Sequence, residues 1–200
     1  MLNHATTHTQ TVGSNVDPLP NHNDKLNKKH TLDYSKIING LSENSAVFKQ
    51  LLSGLTEEIH LWKLNPDKWC LLEIICHLHD EEIYDFRART RHVLEKPTEG
   101  LPAIDPLGWV KNRKYIKQNY NDKLAEFLKE REQSVKWLQS LSNPKWDNTY
   151  EHAKFGKMTA KMFLSNWLAH DYLHIRQITK LKYDYLKQLT NENLIYGGYW

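Results

Sequence analysis

Two histidines one helical turn apart, His170 and His174, have the spacing of a chelating pair. In a helix, side chains four residues apart lie on the same face, so one ion can bind both imidazoles. Apolar residues such as Phe163, Trp167 and Ile178 share this face, so both rings should point inwards. The alternative is a pair of core histidines that are hydrogen-bonded to their own neighbours.

A third ligand has to come from another helix, and a second segment offers His77 and His79. On a helix these two side chains point about 200° apart, so only one of them can face the site. Each lies on a stripe that also carries apolar residues, and the periodicity favours neither. The residue pattern alone leaves the third ligand open.

Four amphipathic helices are predicted to position these side chains. Apolar residues recur every three or four positions over about 34–55, 70–94, 121–141 and 159–185. Asn121 or Asp122 is expected to cap the third helix and Thr159 the fourth, and residues 98–106 should form a loop. No segment shows the alternation of a half-buried strand. This pattern predicts an all-α four-helix bundle, an architecture that builds metal sites in its core.

The composition sets the expected domain organisation. Residues 1–32 are polar and carry scarcely any large apolar side chain, which predicts a disordered tail. The helical bundle is expected over 33–185, followed by a C-terminal extension over 186–200.

Several classes of protein are disfavoured by the same sequence. A net charge of +3, with basic residues dispersed among 24 acids, does not predict nucleic-acid binding. No apolar stretch approaches the ~20 residues that span a bilayer, and the first residues do not resemble a signal peptide. Cys70 and Cys76 lie on one predicted helix, too far apart to form a disulfide. We therefore expect a soluble, cytoplasmic protein with no membrane partner.

Two motifs in order along the chain resemble a known family. The segment WCLLEIICHLHDE at 69–81 resembles the pattern W-S-x-x-E-x-x-x-H-L-x-D of the DinB/YfiT-like superfamily. The segments HAKFGKMT at 152–159 and HDYLHIRQI at 170–178 are similar to its H-x-x-x-G-x-x-T and H-D-x-x-H-x-x-Q-I elements. Cys70 departs from the pattern, which has serine there. The resemblance covers roughly residues 35–180.

The resemblance implies a four-helix bundle with a three-histidine metal site on His77, His170 and His174. His79 then becomes a bystander, and His152 is expected to be structural. Three imidazoles suit a divalent transition metal such as Zn, Ni or Fe. A tetrahedral ion on them keeps one open position for water or a substrate atom.

Acidic and amide side chains near these histidines are candidates for orienting the imidazoles. The candidates are Asp80, Glu81, Asp171 and Gln177, and the alternative for the three carboxylates is a solvated helix face.

The resemblance also implies a class of activity. We expect a metal-dependent enzyme acting on a small-molecule substrate, either a hydrolase or a transferase that uses a low-molecular-weight thiol such as bacillithiol or mycothiol. Relatives often form dimers, so a homodimer is also expected. The alternative is a non-catalytic, stress-associated bundle whose metal is structural.

Overall fold

A computed structural model gives the fold of the protein and describes residues 33–200. The tail predicted over 1–32 lies outside the described residues. In chain order the elements are α1 (Tyr34–Leu52), α2 (Glu57–Leu61), α3 (Leu71–Asp80), a π-helix (Glu81–Arg87), α4 (Ala88–Glu95), α5 (Pro106–Asn112), a 3-10 helix (Tyr115–Lys117), α6 (Tyr120–Ser140), β1 (Thr149–His152), β2 (Gly156–Thr159), α7 (Ala160–Thr190) and a second 3-10 helix (Leu194–Gly197).

Four long helical segments form the bundle. α3, the π-helix and α4 follow one another without a break, and the junction residues Glu81 and Ala88 keep right-handed helical backbone angles. Together they form the second long helix of the bundle, beside α1, α6 and α7. α1 packs on α6 and α7, α3 packs on both as well, and α4 packs on α7. The predicted all-α, four-helix bundle is confirmed.

Local hydrogen bonds determine where the helices begin. The side chain of Thr159 accepts a hydrogen bond from the Met162 N–H and caps α7, as predicted. The predicted cap of α6 was wrong: Asn119 caps it by accepting from the Asp122 N–H. The helix begins this early because Tyr120 is buried and donates from its hydroxyl to the Leu52 carbonyl.

α7 is longer than predicted and ends at Thr190, where the sequence analysis placed the end near Tyr185. Residues 186–190 contain neither glycine nor proline, so nothing in the chain interrupts the helix there. Asn191 then takes a left-handed conformation, with φ of 52°, and its N–H donates to the Lys187 carbonyl. This is a common way for a helix to end.

Besides its helices the bundle carries a pair of short strands, which no pattern in the sequence indicated. β1 and β2 form an antiparallel hairpin in which Thr149 pairs with Thr159 and His152 with Gly156. Gly156 has φ of 67°, a conformation that glycine adopts at little cost. Each strand has four residues and neither has a buried face, so the sequence shows no alternation there.

The core contains both cysteines of the chain. Cys70 and Cys76 are buried and free, in agreement with the absence of a disulfide. Their helix packs against Phe48 and Phe127, whose rings meet edge to face with centroids 5.3 Å apart. Within residues 33–200, no helix is both long enough and apolar enough to cross a membrane.

Candidate metal centre

Three histidines from two helices converge in the bundle: His77 on α3 and His170 and His174 on α7. Each offers a ring nitrogen, and these three atoms all lie within 4.8 Å of one another. The Nε2 atoms of His170 and His174 are 3.0 Å apart, so those two rings point at the same place. His77 approaches from the facing helix, with its ring centroid 5.0 Å from that of His174.

Apolar packing brings α7 into this position. Trp167 lies one turn before His170, Ile178 lies one turn after His174, and both are fully buried. These two anchors hold the histidine face of α7 towards α3. On α3, Ile74 is buried one turn before His77 and belongs to the same apolar core as Ile178.

A hydrogen bond to Gln177 sets the tautomer of His174. The Oε1 atom of Gln177 lies 2.8 Å from Nδ1 of His174. An amide oxygen only accepts, so Nδ1 carries the hydrogen and the lone pair is on Nε2. That lone pair faces His170 and the centre of the cluster.

Burial keeps all three imidazoles neutral. It lowers the pKa of His77 to about 3, of His170 to about 2 and of His174 to about 4. The neighbouring histidines add to this lowering at His77 and His170, whereas the Gln177 hydrogen bond opposes it at His174. A neutral imidazole is the form that binds a metal ion.

The donor set fits a divalent transition metal. Within the described part of the chain, the buried Nδ1 atom of His77 has no hydrogen-bond partner. A buried polar atom left in this state costs about 1–3 kcal/mol. Oε1 of Glu81 is likewise without a partner there, and it lies 4.0 Å from that nitrogen. Three neutral imidazoles are suited to Zn, Ni or Fe.

Glu81 is the predicted carboxylate that lies beside the histidine cluster. Burial, together with the charge of Asp85, raises its pKa above the ordinary value for glutamate. Arg89 forms an ion pair with Asp85, with Nε and Oδ1 3.0 Å apart. The orienting role expected of Glu81 stays a prediction.

The other two predicted carboxylates bond elsewhere. Oδ2 of Asp80 accepts from the Tyr115 hydroxyl at 2.5 Å, and its Oδ1 lies 2.8 Å from the Arg113 guanidinium. Asp171 accepts from Arg131 at 2.5 and 2.7 Å. Asp171 directly follows His170, and a shift of one residue rotates a helical side chain by about 100°. Asp171 therefore points away from the cluster, and neither carboxylate is bonded to one of the three cluster imidazoles.

The two remaining candidate histidines have local partners. His79 lies apart from the cluster, with Nδ1 3.3 Å from Asp80 and Nε2 3.8 Å from Glu126. His152 lies in the hairpin, where its Nδ1 accepts from the backbone N–H groups of Lys154 and Phe155. The structural role expected for His152 stays a prediction.

A buried ionic cluster joins α6, α7 and the π-helix, and it was not predicted from the sequence. Arg131 on α6 bonds both to Asp171 and to Glu82, and the Trp167 indole N–H donates to Glu82 at 3.0 Å. One signal was available: Arg131 lies one turn after Phe127 and one turn before Val135, on the apolar face of its helix. An arginine at such a position requires a buried acidic partner.

Comparison with known protein families gives a match over most of the chain. Residues 41–178 match the sequence profile of the DinB superfamily. The chain belongs to the DinB superfamily.

One solved structure with this DinB-superfamily fold is YfiT from Bacillus subtilis, described as a probable metal-dependent hydrolase with an unusual four-helix bundle topology. The two share 18% sequence identity and align with a TM-score of 0.68, over 82% of this chain and 93% of YfiT. At this identity the likeness establishes the fold. No curated protein matches this DinB-superfamily chain in sequence.

Proposed function

We propose that the chain binds one divalent transition metal on His77, His170 and His174 and catalyses a metal-dependent reaction on a small molecule. One observation carries the proposal: three neutral ring nitrogens lie within 4.8 Å of one another in the bundle core. The family and the description of YfiT as a probable metal-dependent hydrolase support it.

When bound, such an ion supplies Lewis acidity at one open coordination position. The residues of the chain hold and surround that position. Gln177 fixes the ring of His174 through its Nδ1 hydrogen. Trp69 lies against His77, with ring centroids 4.9 Å apart, and shields that side of the cluster.

Hydrolysis is the reaction class we favour. The description of YfiT supports it, and His174 and Gln177 line a cavity of about 480 Å³, so a small molecule can reach the cluster. This access argues for a catalytic rather than a purely structural ion. A thiol-dependent reaction would need an external thiol, because Cys70 and Cys76 are both buried.

Metal analysis of the full chain tests the proposal. All variants should also carry alanine at His4, His8, His22 and His30, so that these histidines bind no metal adventitiously. After loading with zinc, nickel or iron and removal of free metal, we expect about one ion per chain.

Alanine variants compare the metal content of chains that lack a cluster histidine with that of a chain that lacks a histidine outside the cluster. His77→Ala and His174→Ala should lose the ion, whereas His79→Ala, a matched change two residues away on α3, should retain it. Gln177→Leu should weaken binding by about 10–100-fold, because the ring of His174 loses the partner that orients it. A metal-free wild type, or loss of metal in His79→Ala alone, would refute the proposed site.

A further inference from the structure

The cavity of about 480 Å³ lies directly beside the histidine cluster. His174 and Gln177 form part of its wall. Trp69 forms another part, and the same ring packs against His77. A molecule held in this cavity therefore lies next to the proposed metal position.

Positive charge dominates the wall. Three cations, Lys68, Arg176 and Lys180, face one carboxylate, Asp184. Lys180 pairs with that carboxylate. Arg176 forms no ion pair within residues 33–200, and Nζ of Lys68 reaches only the exposed carboxylate of Asp67, 3.9 Å away. Uncompensated positive charge in a cleft attracts anions.

Flat apolar surface makes up much of the remaining wall. It is formed by three tryptophans, Trp62, Trp69 and Trp200, with leucines between them. Trp200 stacks on Tyr183, with ring centroids 5.4 Å apart, and Trp62 donates to Gln188 at 3.2 Å. These contacts hold two of the indoles in place. Rings held in this way pack well against a planar apolar group.

We propose that this cavity binds a small organic anion in which a carboxylate is joined to a planar apolar group, and that this is the substrate class of the enzyme. The assignment as substrate rests on the proposed function. The planar group packs on the tryptophans, and the carboxylate pairs with Arg176, whose guanidinium matches a carboxylate with two parallel hydrogen bonds. The excess positive charge of the wall, above all that of Arg176, disfavours a cationic molecule of the same shape.

Binding of 1-naphthoate to the full-length chain tests this assignment. Quenching of tryptophan fluorescence reports binding, because three of the seven tryptophans line the cavity. 1-Naphthylmethylammonium has a similar shape and the opposite charge, and we expect it not to bind. Affinity for the anion should fall as salt is raised.

The matched variants are Arg176→Gln and Lys187→Gln, two exposed cations of α7 of which only Arg176 lines the cavity. Arg176→Gln should weaken 1-naphthoate binding about tenfold, the value of one charge-assisted contact. Lys187→Gln should leave the affinity unchanged. Equal binding of the anion and the cation, or an unchanged affinity in Arg176→Gln, would overturn the assignment.

Metal content measured on the same samples separates the two proposals. If the chain holds its ion but does not bind 1-naphthoate, the anion site is refuted and the metal centre stands. If Arg176-dependent binding occurs in a chain that takes up no metal, the anion site stands and the proposed enzymatic function is refuted.

Discussion

Replacement of Arg131 by methionine should destabilise the fold severely. The Arg131 side chain is only 2% exposed, and it faces Glu82 and Asp171, which are 1% and 0% exposed. Its Nε lies 3.0 Å from both carboxylate oxygens of Glu82, and its terminal nitrogens bind both oxygens of Asp171. Methionine fills much of the same volume but leaves two buried carboxylates without a cation.

The expected loss follows from that uncompensated charge. Removing one partner of a buried ion pair costs about 3–5 kcal/mol, because the remaining charge stays in a medium that solvates it poorly. Arg131 serves two carboxylates, so we expect the upper end, about 5 kcal/mol. Domains of ordinary stability unfold with about 5–15 kcal/mol, so the variant should be marginally stable or unfolded.

Urea unfolding followed by circular dichroism measures the free energy of unfolding. Lys136→Met is the matched control, because Lys136 pairs with Glu132 on the same helix but both side chains are well exposed, at 70% and 63%. An exposed pair contributes at most about 1 kcal/mol, so this control should change little.

Adding Glu82→Gln and Asp171→Asn to Arg131→Met removes the uncompensated charges and should recover part of the lost stability. If Arg131→Met cost no more than Lys136→Met, the cluster would not be buried as the structure shows. If the triple variant were as unstable as the single one, the loss would come from packing rather than from charge.

Two further perturbations test the core around α3. Burial would raise the pKa of Asp80, but hydrogen bonds from His79 and Tyr115 together with the charge of Arg113 outweigh it and hold the pKa below 3.8. Ionised Asp80 therefore stabilises the folded state above pH 3.8. This stabilisation is lost as the pH falls through the lowered pKa of Asp80 in the folded protein. Urea midpoints of wild type and Asp80→Asn should therefore differ at about pH 6 and converge towards about pH 3; parallel curves would contradict this. Cys70 and Cys76 are 0% and 2% exposed, so Ellman's reagent should modify them only in denaturant, and rapid labelling of the native protein would refute their burial.

The helices were predictable because most of them are amphipathic, whereas the third ligand was not predictable from periodicity. In α3, nine of ten residues are buried, and His79 is the exception. A helix buried on nearly all sides has no contrast between an apolar and a polar face. The family motif pointed to His77, and the structure places His77 with the α7 pair.

The ionic cluster and the hairpin depend on contacts that a local pattern does not contain. Arg131 meets Glu82 and Asp171 across 49 and 40 residues of chain. Spacing within one helix carries no information about such partners. The hairpin is too short and too exposed to show a period, and its turn is held by His152.

Three consecutive acids on the second long helix of the bundle face three different neighbours. Asp80 binds Tyr115, Glu81 lies beside His77, and Glu82 binds Arg131. All three acids are buried. Successive residues of a helix point about 100° apart, so the three acids face different directions, and Asp80 and Glu82 bond the helix to two different neighbours.

Glu82 touches no histidine, yet it contacts the helix that carries two of them. Glu82 accepts from the indole of Trp167, which sits one turn before His170 on α7. Glu82 is the second residue of the π-helix Glu81–Arg87, which continues the helix of His77, and such elements are often found at functional sites. Glu82 therefore links the two helices that carry the ligands. The separation of His77 from His170 depends on this link as well as on the histidines themselves.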